Sequence, residues 1–169
     1  MNEVMVLYIL SRFDTTIYGV MKYIGEMFFA FSRTSSGTIN PTIKKLEKEG
    51  YVKISTNMSS GGLESKICTI TLSGRKYLQE LLMSFDISNP SLILNHAKIA
   101  ICCCDVLSSE NKTEFFENLK NQILLYKAKI EAGLKNPQTI LEENVIKMSK
   151  MQVASAEHLI REIEELCKL

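Results

Sequence analysis

The chain has 169 residues, 46% of them hydrophobic and 23% charged, with a net charge of +1. That is enough for one sizeable core, or for a small domain plus a helical extension, and it carries no global basic signal. No run of eighteen apolar residues occurs, so neither a spanning helix nor a membrane partner is expected.

The first residues, MNEVMVLYIL, lack a basic leader region, carry Glu3 and lead into Ser11-Arg12 without a small-residue cleavage site. They read as a folded first helix over 4–12, and a cytoplasmic location is the expectation. Asp14-Thr15-Thr16 reads as a turn that ends in an N-cap. A second helix, IYGVMKYIGEMF, places Ile17, Val20 or Met21, Ile24, and Met27 or Phe28 on one face. Gly19 and Gly25 either weaken it slightly or admit a close neighbour.

The third helix has two candidate starts. Asn40-Pro41 is a strong N-cap followed by the residue favoured at the first helical position. Yet Ser36 caps equally well, and Ile39, Ile43 and Leu46 form one apolar stripe. A start at Ser36 places Pro41 inside the helix, where it removes one backbone bond. Gly50 suits the left-handed position just past the helix end.

The period then changes. YVKIST at 51–56 and KICTITL at 66–72 alternate and are rich in β-branched residues, with Gly61-Gly62 between them, which reads as a hairpin. Ser73 is the expected cap of the next helix. After the linker DISNPS no strand pattern appears: helices are expected over 90–107 and about 109–132, and, after a stop and restart marked by Gly133 and Asn136-Pro137, to near the end. Phe116, Leu119, Ile123, Tyr126 and Ile130 form one stripe; Leu141, Val145, Met148, Ala156, Leu159, Ile163 and Leu166 form another.

The expected fold is therefore mainly α with a small β-hairpin wing. Residues 1–86 read as a winged helix-turn-helix DNA-binding domain, and residues 87–169 as all-α helices for dimerisation, with effector sensing open. The long stripes need a partner surface, either a hairpin within the chain or a second copy. The surplus apolar face of 90–107 favours a homodimer.

Charge is uneven locally. Within 32–54, Arg33, Lys44, Lys45, Lys48 and Lys53 face only Glu47 and Glu49, which suits a phosphate backbone or an ordinary solvated helix face. Ser35, Ser36, Thr38 and Asn40 lie near the helix N-terminus, where backbone N–H groups can meet a phosphate. Thr42, Lys44 and Lys45 face outward with Thr38. Tyr18 and Lys22, one turn apart on the second helix, are candidates for touching the DNA backbone. Lys66 and the Ser59-Ser60 tip are candidates on the wing.

Enzyme chemistry finds no support. His96 and His158 are isolated, and no glycine-rich phosphate loop opens a helix. No cofactor and no metal site is expected. Cys102, Cys103 and Cys104 are adjacent, so on a helix they point about 100° apart and cannot all face one ion. Small buried thiols are the plain reading, with a thiol or metal sensor as the alternative. Met148, Met151, Tyr126 and His96 are compatible with an effector pocket or with an ordinary core, and no ligand is assigned.

SSGTINPTIKKLEKEGYVKI followed by TLSGRKYL resembles the PadR-type transcriptional regulators. Their pattern is similar to S-x-G-T-L-Y-P-x-L-x-x-L-E-x-E-G-L-[IV], then L-T-x-x-G-R. Ser35, Gly37, Thr38, Pro41, Leu46, Glu47, Glu49, Gly50, Leu72, Gly74 and Arg75 match it, and Tyr18-Gly19 resembles the family's Y-G. The resemblance implies a homodimeric repressor on a near-palindromic operator of double-stranded DNA. It also implies C-terminal helices that form the dimer and a small-molecule effector at or near that interface. It favours the helix start at Ser35 or Ser36. Asn40 stands where the family has Tyr, and Glu64 where it has a basic residue. Specificity is then expected from Thr38, Asn40, Thr42 and Lys45, and phosphate anchoring from Ser35, Ser36, Lys44, Lys66 and Tyr18. The alternative is a winged-helix protein-interaction or sensor module without sequence-specific DNA binding.

Overall fold

The structure, a computed structural model, describes residues 1–33, 35–58, 64–84, 89–137, 140 and 142–168. The elements run α1 (Asn2–Arg12), β1 (Thr15–Thr16), α2 (Ile17–Met27), α3 (Ser36–Lys48), β2 (Val52–Met58), β3 (Glu64–Ile70) and α4 (Leu72–Met83). Then follow α5 (Ile93–Cys103), a 3-10 turn (Cys104–Val106), α6 (Ser109–Lys135) and α7 (Glu143–Leu166). The chain forms two compact units, Met1–Ser84 with Lys98–Val106, and Phe85–Ala97 with Leu107–Leu169.

The first unit is a winged helix-turn-helix built around α1. Seven consecutive α1 residues, Val4 to Leu10, are buried because α2, α3, α4 and β3 all pack against that helix. The sheet is antiparallel in the order β1-β3-β2, with Thr15 opposite Cys68 and Val52 opposite Ile70. Thr15-Thr16, expected only as a turn, is thus a third strand. A two-residue strand has no periodicity to read, and its pairing with Ile67 and Cys68 is set by tertiary packing. Thr16 does cap α2, its hydroxyl accepting from Gly19 N–H at 3.0 Å. On α2 the buried positions are Val20 and Ile24, followed by Phe28, while Met27 is exposed. The close neighbour at Gly19 is the Thr15 side chain, not another helix, and Gly25 is open.

The third helix starts at Ser36 with Ser35 as N-cap, and Pro41 lies inside it. The inward stripe decides the start: Ile39, Ile43 and Leu46 are fully buried, and each is worth about 1.5–3 kcal/mol on burial. That sum exceeds the roughly 3 kcal/mol an interior proline costs. The helix ends in a Schellman turn. Gly50 has φ +79°, Tyr51 N–H donates to Leu46 O at 2.8 Å, and Gly50 N–H donates to Glu47 O at 3.0 Å.

The corner after α3 is latched to α4. Thr71, not Ser73, caps α4, its hydroxyl accepting from Gly74 N–H at 3.0 Å and donating to Gly50 O at 2.8 Å. Ser73 donates instead to the same Gly50 carbonyl, at 3.1 Å. A Cβ on Gly74 would overlap the Tyr51 carbonyl, so the backbones meet only because this residue is glycine. The Tyr51 and Tyr77 rings stack at 4.1 Å and 9°.

In the second unit α6 and α7 pair. Phe115, Phe116, Leu119 and Ile123 are buried on α6, and Ala156, Leu159 and Ile163 on α7. Lys127–Glu157 at 2.8 Å and Lys120–Glu164 at 3.6 Å bridge the two helices. Helix α6 runs through Gly133 to Lys135, three residues beyond the expected stop, and ends at the Asn136 cap before Pro137. The expected helix over 90–107 is shorter, Ile93–Cys103 plus the 3-10 turn. The Gly61-Gly62 and Ser59-Ser60 tip and Leu141 lie outside the described residues.

Candidate nucleic-acid interface

Helix α3 has its stripe in the core and its opposite side in solvent. Its first turn is closed by a capping box: the Thr38 hydroxyl accepts from Ser35 N–H at 3.3 Å and donates to Ser35 O at 2.9 Å. Ser35, Ser36, Gly37 and Thr38 are all exposed. The Thr42 hydroxyl donates to Thr38 O at 2.8 Å, the back-bonding habit of a threonine inside a helix. Both threonines keep acceptor lone pairs free.

Pro41 and Lys48 occupy the centre of the exposed side. At 100° per residue, Lys44 and Lys45 fall on opposite flanks of it. The two flanks differ. Among the described residues no carboxylate lies within 4.0 Å of Lys44 or Lys48. Lys45, in contrast, turns to α1: its ammonium meets Glu3 Oε1 at 2.5 Å, with Glu49 at 4.0 Å. The other Glu3 oxygen accepts from the Tyr77 hydroxyl at 2.9 Å. Burial pushes the Glu3 carboxyl up, but the Lys45 and Tyr77 hydrogen bonds and the Lys45 charge outweigh it and hold it below its ordinary value. The Tyr77 phenol is pushed up to about 12 by burial and by its bond to Glu3, so it stays a donor. Glu3 and Tyr77 were not singled out from sequence, because nothing in their spacing couples residues 74 positions apart.

Asn40 sits on the Lys44 flank but nearer the core. It is half-buried, and its Oδ1 is buried with no protein hydrogen-bond partner. The Asn40 amide is folded against the protein, because Asn40 stands 100° from the buried Ile39 and only 60° from the buried Ile43.

Helix α2 and strand β2 both pack against α3. On α2, Tyr18 is 74% exposed, while Lys22 is exposed and 3.9 Å from Glu26. On the wing, Lys66 of β3 stands opposite Thr56 of β2, and Lys53 opposite Thr69; both lysines are exposed. Glu64, also exposed, pairs with Met58 at the far end of the wing.

The cysteines are free thiols. Cys103 is buried and Cys102 exposed, and burial pushes both thiols up, away from thiolate chemistry. Among the described residues no three His, Cys, Asp or Glu side chains are grouped to hold a metal. Asp105, just after them, pairs with Arg12, which also donates to the Tyr8 hydroxyl at 3.0 Å. In the second unit, Leu124, Leu125, Val145, Met148, Met151 and Leu166 are exposed. The effector candidates Met148 and Met151 are thus surface residues, and Tyr126 bonds Gln152 at 3.4 Å. A shallow surface depression near Leu124, Leu125, Ala128 and Glu131 lies on this unit. No helix among the described residues is long and apolar enough to cross a membrane.

Residues 6–80 match the transcriptional regulator PadR-like family. Over 125 residues the chain is 25% identical to the negative transcriptional regulator PadR of Bacillus subtilis (strain 168), a match covering 74% of this chain and 66% of that protein, just under two thirds of its length. Among solved structures, B. subtilis PadR in complex with operator DNA is similar at a TM-score of 0.47 and 16% identity, covering 98% of this chain and 96% of that one. B. subtilis PadR in complex with p-coumaric acid is similar at 0.40 and 18%, covering 95% and 99%. The PadR-like regulator of Bacillus cereus gives 0.42 and 17%, covering 98% and 99%.

Proposed function

Taking residues 6–80 as a PadR-like transcriptional-regulator region, we propose that the chain is a homodimeric, ligand-responsive repressor that binds a near-palindromic operator in double-stranded DNA. The observation that carries this reading is the exposed side of α3, where Pro41, Lys44 and Lys48 stand out from a helix whose opposite stripe is fully buried. A rigid helix with a free cationic side fits a major groove, which is wide enough to admit it. Lys44 takes a phosphate. Ser35 and Ser36 present hydroxyls and backbone N–H groups beside it, and Tyr18, Lys22 and Lys66 add backbone contacts from α2 and the wing.

Thr38, Thr42 and Asn40 supply base readout. Thr38 and Thr42 use the acceptor capacity their local bonds leave. Asn40 rotates outward on binding. An unsatisfied buried acceptor costs on the order of 1–3 kcal/mol, so exchanging that site for a bidentate contact to an adenine edge is favourable. Lys45 is engaged with Glu3 and is the weakest member of the expected specificity set.

The second unit supplies the dimer. Leu125, Met148 and Met151 leave an apolar surface that a second copy covers, and two copies present two α3 helices to a two-fold site. A cytoplasmic location and a small-molecule effector follow from the same reading.

Fluorescence anisotropy with a duplex taken from upstream of the chain's own gene, at 50 and 200 mM salt, tests it. Saturable binding, tighter than to a scrambled duplex and weaker at high salt, is the expected result. Equal affinity for both duplexes points instead to a module without sequence-specific DNA binding.

A further inference from the structure

Helix α3 and the start of β2 carry four lysines, Lys44, Lys45, Lys48 and Lys53. Of these four, only Lys45 has a carboxylate partner on another element among the described residues. That partner, Glu3, lies 42 positions away on α1 and is less exposed than the lysine it holds, 21% against 52% for the side chains. It is not a loose surface carboxylate. Its second oxygen is tied to the Tyr77 hydroxyl at 2.9 Å, and Tyr77 is itself fixed by its stack on Tyr51, directly after the α3 turn. Three elements thus hold one anionic oxygen 2.5 Å from the Lys45 ammonium. A phosphate oxygen would make the same charge-assisted bond.

We propose that Glu3 is a specificity-determining residue: it stands in for a DNA phosphate on Lys45 and so removes one sequence-independent contact from the recognition helix. The role rests on the DNA-binding reading above. A lysine neutralised in place delivers no net charge to the duplex, so it displaces no counterion and adds nothing to salt-dependent binding. Arbitrary DNA is then held by one contact fewer. The base-reading side chains Thr38, Thr42 and Asn40 carry a larger share of the operator affinity, and the ratio of specific to non-specific binding rises.

The test compares full-length wild type, Glu3→Gln, Lys45→Gln and the double variant on a duplex of arbitrary sequence, by anisotropy across a salt series. Gln keeps a hydrogen-bonding group for Lys45 and Tyr77 while losing the charge. Glu3→Gln is expected to steepen the slope of log K against log salt by about 0.9, one phosphate's worth, so its affinity falls about 3.5-fold more than that of wild type between 50 and 200 mM. Lys45→Gln alone is expected to leave the wild-type slope unchanged, and the double variant to return to it.

An unchanged slope in Glu3→Gln overturns the proposal while leaving DNA binding intact. So does a gain that persists in the double variant, which would be a general charge effect. Should Glu3→Gln not fold, Lys45→Gln still decides: a slope reduced by about 0.9 makes Lys45 an ordinary phosphate ligand. Absence of salt-dependent duplex binding by wild type overturns the DNA-binding reading and the Glu3 role with it.

Discussion

The two compact units leave different surfaces behind. In the first, α1 hides seven consecutive residues, and the outward side of α3 is polar and cationic. In the second, α6 and α7 close on each other along one stripe, yet Leu125, Met148 and Met151 remain 72%, 55% and 56% exposed. The first unit also leaves apolar side chains in solvent, Phe29 at 76% and Leu72 at 82%, but its α3 side carries chemistry suited to an anionic polymer. The three exposed side chains of the second lie on the two long helices that pair with each other. Where such side chains adjoin, they offer a surface for association. On the proposed function the two units divide the labour: recognition on the first, association on the second.

The sharpest way to break the first unit is at its latch. Gly74→Ala drives a methyl into the Tyr51 carbonyl, and the rigid backbone on both sides cannot yield cheaply. A loss of about 2–3 kcal/mol is expected, in the range of overpacked sites, read as a lowered denaturant midpoint. An unshifted midpoint would mean that the corner is looser than described.

The second unit should break differently, without unfolding. Leu125→Glu places a charge on an already exposed position, so helicity by circular dichroism is expected to hold. Self-association should weaken by about 2 kcal/mol or more, roughly 30-fold, if this leucine is a central anchor of the dimer. Sedimentation velocity reads it. Leu72→Glu, on an equally exposed leucine of the first unit, is the matched control and should leave the oligomeric state unchanged.

Much of this division is legible in the sequence, for identifiable reasons. The stripe Ile39, Ile43 and Leu46 outweighs the Asn40-Pro41 signal because three buried aliphatic side chains contribute more than one cap. Gly50 is legible because a left-handed residue at a helix end has few alternatives. What stays hidden is long-range. Thr15-Thr16 is too short to show a period and is a strand only because β3 is there. Ser73 reads as the α4 cap by residue type, but Thr71 takes that place because its hydroxyl reaches both the Gly74 N–H and the Gly50 carbonyl. Lys44 and Lys45 are neighbours in sequence and equivalent by charge. Their difference comes from Glu3, which no local pattern connects to α3. The half-burial of Asn40 depends on how α3 seats against its neighbours, which its residue type does not show.

The smallest expected effect is a pH effect within the first unit. The folded carboxyl of Glu3 lies below its ordinary value of 4.5. A depressed carboxylate contributes stability that is fully present above the ordinary value and is lost as pH falls through the folded one. The stability advantage of wild type over Glu3→Gln should therefore be constant from neutral pH to about pH 5 and shrink below about 4.5. A difference that does not change with pH would mean that the Glu3 charge is not what Lys45 and Tyr77 hold.

The central claim is that the exposed side of α3 meets the phosphate backbone through Lys44. Anisotropy salt titrations of wild type and Lys44→Ala, on the upstream duplex and on an arbitrary one, test it most directly. Weaker binding to both duplexes is predicted, with each salt slope reduced by about 0.9, as for one lost phosphate contact. Equal slopes for wild type and variant, or equal affinity loss at every salt concentration, would contradict it.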